Sequence, residues 1–390
     1  MKIKLLLLFL LAGTILHAQD NTYQNASQKM ISSTSDKVTI GGYGQIDYNQ
    51  PLSSEKFKTG TLDVHRLVLL FGYNFSEKTQ FVTELEMEHV SEVYVEQAWI
   101  NHRISNAINF RGGLMLIPMG IINEYHEPTT YNGVERPNVD KYLVPTTWRE
   151  IGAGFNGRIS DLGLNYQLYL VNGFNGYDGS AKLSGKNGLR SGRQKGAESY
   201  VSSPNVAVKA DWNAISGLQL GLAGYFGDTQ STLYNGLDKN DATAKAKADS
   251  SIVGVTMLGL DGRYNLGNLS LRGQYIYTGL SNTAAYNAFT GSDVASALQG
   301  WYLEAAYSLF LGSESNYKCT PFVRYENYNT HLKVENSIAQ NKALNKTDIT
   351  FGASLELSRG VVLKADYQLL SNAASSTNNG VLNFGIGVWF

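Results

Sequence analysis

The last ten residues, VLNFGIGVWF (381–390), switch side-chain character at every step. Leu382, Phe384, Ile386, Val388 and Phe390 fall on one face, and Asn383, Gly385, Gly387 and Trp389 on the other. Successive side chains of a strand point to opposite faces, so this run reads as a strand with one apolar face and one polar or small face. Residues 162–171 repeat the pattern, with Leu162, Leu164, Tyr166, Leu168 and Leu170 set against Asn165, Gln167 and Tyr169. Leu218, Leu220 and Leu222 alternate with Gln219, Gly221 and Ala223, and Ile349, Phe351, Ala353, Leu355 and Leu357 with Thr350, Gly352, Ser354 and Glu356.

These runs are about ten residues long, the length a tilted strand needs to cross a hydrocarbon core, whereas globular strands average about five or six. Short and long connections alternate along the chain, as they do in outer-membrane barrels. The spacing predicts sixteen strands, near 38–48, 61–74, 79–88, 93–102, 106–116, 149–160, 162–172, 203–214, 217–228, 251–265, 268–279, 297–310, 317–328, 345–358, 360–370 and 379–390. Asn-Leu-Gly-Asn at 265–268 and Ser-Arg-Gly at 358–360 read as tight turns, and 49–60, 117–148, 173–202, 228–250, 280–296, 329–345 and 371–378 as long connections. The expected fold is all-β, a transmembrane antiparallel β-barrel over 38–390. In lipid every backbone N–H and C=O must be paired within the protein, and closure leaves no open edge. A ring of sixteen strands is too wide for its wall side chains to fill, so water is expected inside.

The N-terminus sets the compartment. Lys2 and Lys4 precede an unbroken large apolar run from Leu5 to Leu11, and Ala18 follows at a cleavage position. That is a signal peptide over 1–18. Residues 19–37, polar and rich in Ser, Asn and Gln, read as a flexible periplasmic tail. The expected location is the outer membrane of a Gram-negative bacterium. With 32 basic and 33 acidic residues, the near-neutral balance gives no reason to expect nucleic acid as a partner. The single cysteine, Cys319, cannot make an intrachain disulfide.

Phase assigns the charges. A Lys or Arg facing lipid at mid-membrane costs roughly 2–4 kcal/mol, so charged positions should turn inward. That places Arg66, Glu84, Glu86, Glu88, Arg111, Glu150 and Arg158 on the pore wall, followed along the chain by Lys209, Asp211, Asp261, Arg263, Arg272, Glu304, Arg324, Glu326, Glu356, Lys364 and Asp366. Acids outnumber bases in this set. Glu96 and Gln97 are adjacent, and a regular strand cannot turn both inward. The connection 117–148 holds four of the seven prolines, Pro118, Pro128, Pro137 and Pro145, and therefore reads as stiff. It is the candidate inward-folded third loop, with Glu124, His126, Glu127, Glu135, Arg136, Asp140 and Lys141 as constriction residues.

Arg66, LEMEH (85–89), EQAW (96–99), GLMLIPMGIINEYHEPTTYNGVERP (113–137) and PTTWREIGAGFNG (145–157) resemble the phosphate-selective porin O and P family, particularly its Bacteroidetes-type members. The likeness covers about residues 40–170. It implies a sixteen-stranded trimeric porin with an inward-folded third loop, and transport of phosphate or other anions.

Other motifs point elsewhere and carry less. Gly152-Ala-Gly154-Phe-Asn-Gly157 matches a dinucleotide fingerprint by letters, but a predicted strand runs through it where the motif needs a helix. Glu84, Glu86 and Glu88 share a strand face while His89 points away, so a solvated acidic row is the simpler reading than a metal site. His126 beside Glu127 reads as a packing or pore-lining group, with a ligand or base as the alternative. No Ser/His spacing proposes a nucleophile. The expectation is a passive channel for small hydrophilic solutes or ions, with no catalytic residue, cofactor or metal. Its partners are outer-membrane lipid, the passing solutes and two further copies of itself. A surface-binding or adhesion barrel with a blocked lumen and a membrane-embedded hydrolase are the alternatives.

Overall fold

The C-terminal strand, Ser375–Trp389 (β16), pairs antiparallel with Val38–Leu52 (β1), from Tyr43↔Trp389 to Leu52↔Gly380. That pairing closes a ring. The computed structural model describes residues 25–32, 37–53, 56–310, 317–335 and 338–390. The signal peptide read over 1–18 lies outside the described residues.

Between β1 and β16 run Thr61–Asn74 (β2), Thr79–Glu88 (β3), Glu92–Arg103 (β4), Asn109–Leu116 (β5), Arg149–Ile159 (β6), Leu164–Val171 (β7) and Asn205–Trp212 (β8). Leu218–Asp228 (β9), Gly254–Leu266 (β10), Leu269–Ser281 (β11), Ala297–Tyr307 (β12), Lys318–Lys333 (β13), Asn345–Ser358 (β14) and Val361–Asn372 (β15) complete the wall. Each strand is antiparallel to its neighbours in the chain, so the sheet is a closed sixteen-stranded meander. Leu309–Phe310 continues β12 along β13 after a one-residue break. Among the described residues four α-helices, Ala26–Ser32 (α1), Asn138–Tyr142 (α2), Ala242–Asp249 (α3) and Thr283–Thr290 (α4), are not part of the sheet.

The two faces follow the alternation. Leu168, Leu170, Leu220, Leu222, Phe351, Phe384 and Ile386 are exposed on the outer face, whereas Asn383, Asp348 and Thr350 are buried on the inner one. Both predicted tight turns form. Gly267 sits at φ +57°, and Gly360 at φ +89°, where an added Cβ would lie 2.1 Å from the Trp389 carbonyl. Only glycine avoids the clash and the left-handed strain.

Three departures have local causes. The connection expected at 371–378 is mostly strand: β15 runs to Asn372 and β16 begins at Ser375, because Ser, Asn and Thr here continue the ladder beyond the apolar stretch. In the stretch read as a tail, Ala26–Ser32 form a helix. Its Ala26 N–H donates to Glu127 Oε1 at 2.6 Å, and Asn25 Nδ2 donates to the Glu124 carbonyl at 2.8 Å. Finally, β4 carries a bulge. The register with β3 jumps from Glu84↔Gln97 to Leu85↔Val95, so Glu96 is an extra residue. Both Glu96 and Gln97 are thereby buried on the inner face.

Candidate pore

The connection between β5 and β6 covers 117–148, with α2 near its end. Its hydrogen bonds reach strands round the ring. Arg66 (β2) donates to the His126 carbonyl at 2.5 Å, Lys209 (β8) to that of Gly120 at 2.8 Å, and Arg272 (β11) to that of Thr130 at 3.1 Å. The Val139 N–H donates to Glu326 (β13) at 3.0 Å, Asn138 to Asp348 (β14) at 2.8 Å, and the Val134 N–H to Asp366 (β15) at 2.6 Å. Inward charges of the wall thus serve as partners for a segment that has no ladder of its own.

Part of the interior is dry. Met119, Ile121, Ile122, Val139, Val144 and Trp148 of this segment form one apolar cluster with wall residues such as Tyr225, Met257 and Ile276. Phe174, Leu183, Leu189, Tyr286 and Val294 of the later connections complete it. Trp148 stacks on Phe174 at 4.6 Å between ring centres and donates from Nε1 to Glu150 at 2.9 Å.

Two open cavities remain. A cavity of about 880 Å³ opens at the end carrying the long connections, and one of about 550 Å³ opens at the end carrying the tight turns. Tyr131 lines both. The larger cavity has seven bases on its wall (Arg136, Lys141, Arg149, Arg190, Arg193, Lys195 and Lys346) against five carboxylates (Asp63, Glu86, Glu88, Glu135 and Asp348). Arg190 and Arg193, in the connection after β7, also clamp the end of segment 117–148. Arg190 Nη1 donates to the carbonyls of Lys141 and Thr146 at 2.9 and 2.7 Å, and Arg193 Nη1 to those of Pro145 and Thr147 at 3.0 and 2.9 Å. Burial, with the Arg193 and Arg149 guanidiniums beside it, lowers the pKa of Lys195. Burial and the neighbouring Arg190 and Arg149 do the same to Arg193. Like charges crowd here. At the rim, His89 lies 2.5 Å from Asp63. Partial burial works to lower its pKa, but the Asp63 hydrogen bond and charge, with Glu88 and Glu92 nearby, outweigh it and hold it above the ordinary value.

The residues expected at the pore divide accordingly. Of the candidate constriction set, Glu135, Arg136 and Lys141 line the larger cavity, whereas Glu124, His126, Glu127 and Asp140 are buried in packing. Of the candidate wall set, Glu86 and Glu88 line it. Arg66, Glu84 and Glu150 are covered by the segment or its neighbours, Arg111 faces a small pocket beside α1 and stacks over Trp99, and Arg158 lines neither cavity. Arg190, Arg193 and Lys195 were missed because they lie in the loop 173–202, where period two says nothing. Arg149 and Lys346, at strand ends, were missed as well.

No family model matches the chain. Solved porins share its fold at low identity. The outer-membrane channel DcaP of Acinetobacter baumannii is 10% identical, with a TM-score of 0.58 over 90% of this chain and 97% of that one. An anion-selective porin from Comamonas acidovorans is 14% identical, with a TM-score of 0.56 over 90% and 99%. OmpT of Vibrio cholerae, solved in a trimer form, is 11% identical, with a TM-score of 0.53 over 91% and 100%. Among curated proteins, an uncharacterized protein of Aquifex aeolicus (strain VF5) is 31% identical over 341 residues, 85% of this chain and 75% of that one. The chain belongs to one family with this Aquifex aeolicus protein, on a sixteen-stranded barrel fold shared with outer-membrane porins.

Proposed function

We propose that the protein is an outer-membrane channel through which small hydrophilic solutes and ions diffuse passively, that it prefers anions, and that it is not an enzyme. The observation that carries the preference is the larger cavity, whose wall presents seven bases and five carboxylates. The wall charges as a set favour acids, but many of those acids are spent inside packing. Glu84, Glu150, Asp211, Asp261, Glu304 and Glu326 are all buried and line neither main cavity. What solvent meets is the basic remainder, and rings of such charge sort ions by sign. The resemblance of residues 40–170 to phosphate-selective porins agrees with this sign.

Segment 117–148 is, in this reading, the inward-folded third loop that narrows the channel. Its bonds to strands on all sides support that, as does the place of Tyr131 between the two cavities. A homotrimer is the proposed assembly, by analogy with the trimer form of the Vibrio cholerae protein.

Planar-bilayer recording across a potassium chloride gradient tests the proposal. Stepwise conductance with a reversal potential of anion-selective sign is expected. A cation-selective sign would remove the preference. A second reading, a barrel with a closed lumen that binds at its outer rim, is favoured by the dry cluster filling part of the interior, and silence in the bilayer would establish it.

A further inference from the structure

Beneath segment 117–148 four side chains from four parts of the chain converge. His126 Nε2 lies 3.5 Å from Glu84 Oε1 and 3.3 Å from Glu96 Oε2. Tyr43 Oη stands 2.6, 2.8 and 3.3 Å from Glu84, His126 and Glu96. Donor atoms about 2.0–2.1 Å from a tetrahedral ion are about 3.3–3.4 Å apart, which is the spacing His126 keeps from both carboxylates. The histidine is oriented for the task. Its Nδ1 is 3.2 Å from the Asn123 carbonyl, which can only accept, so Nδ1 carries a proton and Nε2 is the nitrogen left to bind an ion between the carboxylates.

Charge points the same way. Glu84 and Glu96 are 1% and 0% exposed, and Glu96 Oε1 accepts no hydrogen bond, its nearest cation being Arg149 at 3.8 Å. A buried carboxylate without full compensation is costly, and a divalent cation would neutralise two at once. The bulge in β4 is what delivers Glu96 here. Without the extra residue, Glu96 and Gln97 could not both face inward.

We infer that Glu84, Glu96 and His126, with Tyr43 as fourth donor or hydrogen-bonding neighbour, form a binding site for one divalent transition-metal ion, zinc by the chemistry of the donors, which fastens segment 117–148 to β1, β3 and β4. A mixed carboxylate and imidazole set suits zinc better than calcium or magnesium, which take oxygen donors. The donors are all but sealed from solvent, so the ion is taken up as the barrel folds and exchanges slowly afterwards. The inference does not depend on the channel reading.

Elemental analysis decides it. The full chain is folded in detergent with excess zinc, freed of loose metal by gel filtration and analysed beside Glu84→Gln/Glu96→Gln and the cavity-facing control Glu86→Gln. About one zinc per chain is expected in the wild type and the control, and a tenth or less in the double variant. Wild type below about a tenth, or equal content in all three, would overturn the site and leave a proton shared among His126 and the two carboxylates. Should the double variant fail to fold, zinc-edge X-ray absorption on the wild type replaces it. A nitrogen and oxygen shell with one imidazole is expected, and a shell without imidazole would overturn the assignment.

Discussion

Lys364 donates from Nζ to the carbonyl of Tyr131 at 2.6 Å and to that of Gly133 at 2.8 Å, and its ammonium lies 4.0 Å from the centre of the Tyr131 ring. One β15 side chain therefore holds both the backbone and the ring of the residue that lines both cavities. Lys364→Met keeps the bulk and removes the donor. It leaves two carbonyls short of a partner, each worth about 1–3 kcal/mol when buried. Segment 129–134 should then fluctuate. Single-channel recordings are expected to show larger and noisier conductance than wild type, and Tyr131→Ala should raise conductance without the noise. Unchanged traces in both variants would mean that ions do not pass this point.

The sign of selectivity should follow the arithmetic of the larger cavity. Arg136, Lys195 and Lys346 line it without clamping the backbone of segment 117–148, unlike Arg190 and Arg193. Replacing these three by Gln leaves four bases against five carboxylates. The reversal potential in a salt gradient should move through zero to the cation-selective side. Exposed charges at this distance are screened, so the shift should be largest at low ionic strength.

His89 gives the channel a pH dependence near neutrality. Its pKa is held above the ordinary histidine value by Asp63, so the imidazolium persists at pH 6 and is lost as pH rises through the raised value. Stability from the Asp63 pair is present in full below the unfolded pKa and disappears over the same rise. Anion preference should accordingly be stronger at pH 6 than at pH 8, below the range where Arg193 loses charge, and His89→Gln should reduce that difference. A profile that keeps its shape in the variant would assign the titration to another group.

The lipid face was legible in the sequence because a membrane strand must show a grease stripe at every second residue. Leu382, Phe384 and Ile386 were readable for that reason, and their partner Asn383 is buried as alternation demands. Closure followed from the same requirement. Period two states which side chains point inward and is silent on what meets them there. Glu84 and Glu86 sit two residues apart on one face, yet Glu84 is sealed beneath His126 while Glu86 lines the larger cavity. That difference is made by a segment about forty residues downstream, and by a bulge at Glu96 that breaks the very rule used to read the strand. The basic residues of 173–202 were invisible for a related reason: a loop has no period.

The dry cluster yields the last prediction. Trp148 is fully buried, lies between Phe174 at 4.6 Å and Tyr225 at 4.7 Å, and donates to Glu150 at 2.9 Å. Trp148→Ala removes a large buried side chain, a loss of about 3–5 kcal/mol, and takes one donor from a carboxylate that Tyr225 and the Gly173 N–H still hold. Trp148→Phe keeps most of the ring and loses only the donor, at about 1–3 kcal/mol. The wall ladder involves neither change, so the barrel should still fold and migrate as a compact species on an unheated gel. The inner segment should loosen in proportion: trypsin should cut after Lys141 faster in the Phe variant than in wild type, and faster again in the Ala variant. If cleavage is equally slow in all three, the segment is held by its polar bonds to the wall, and the apolar cluster contributes little to its position.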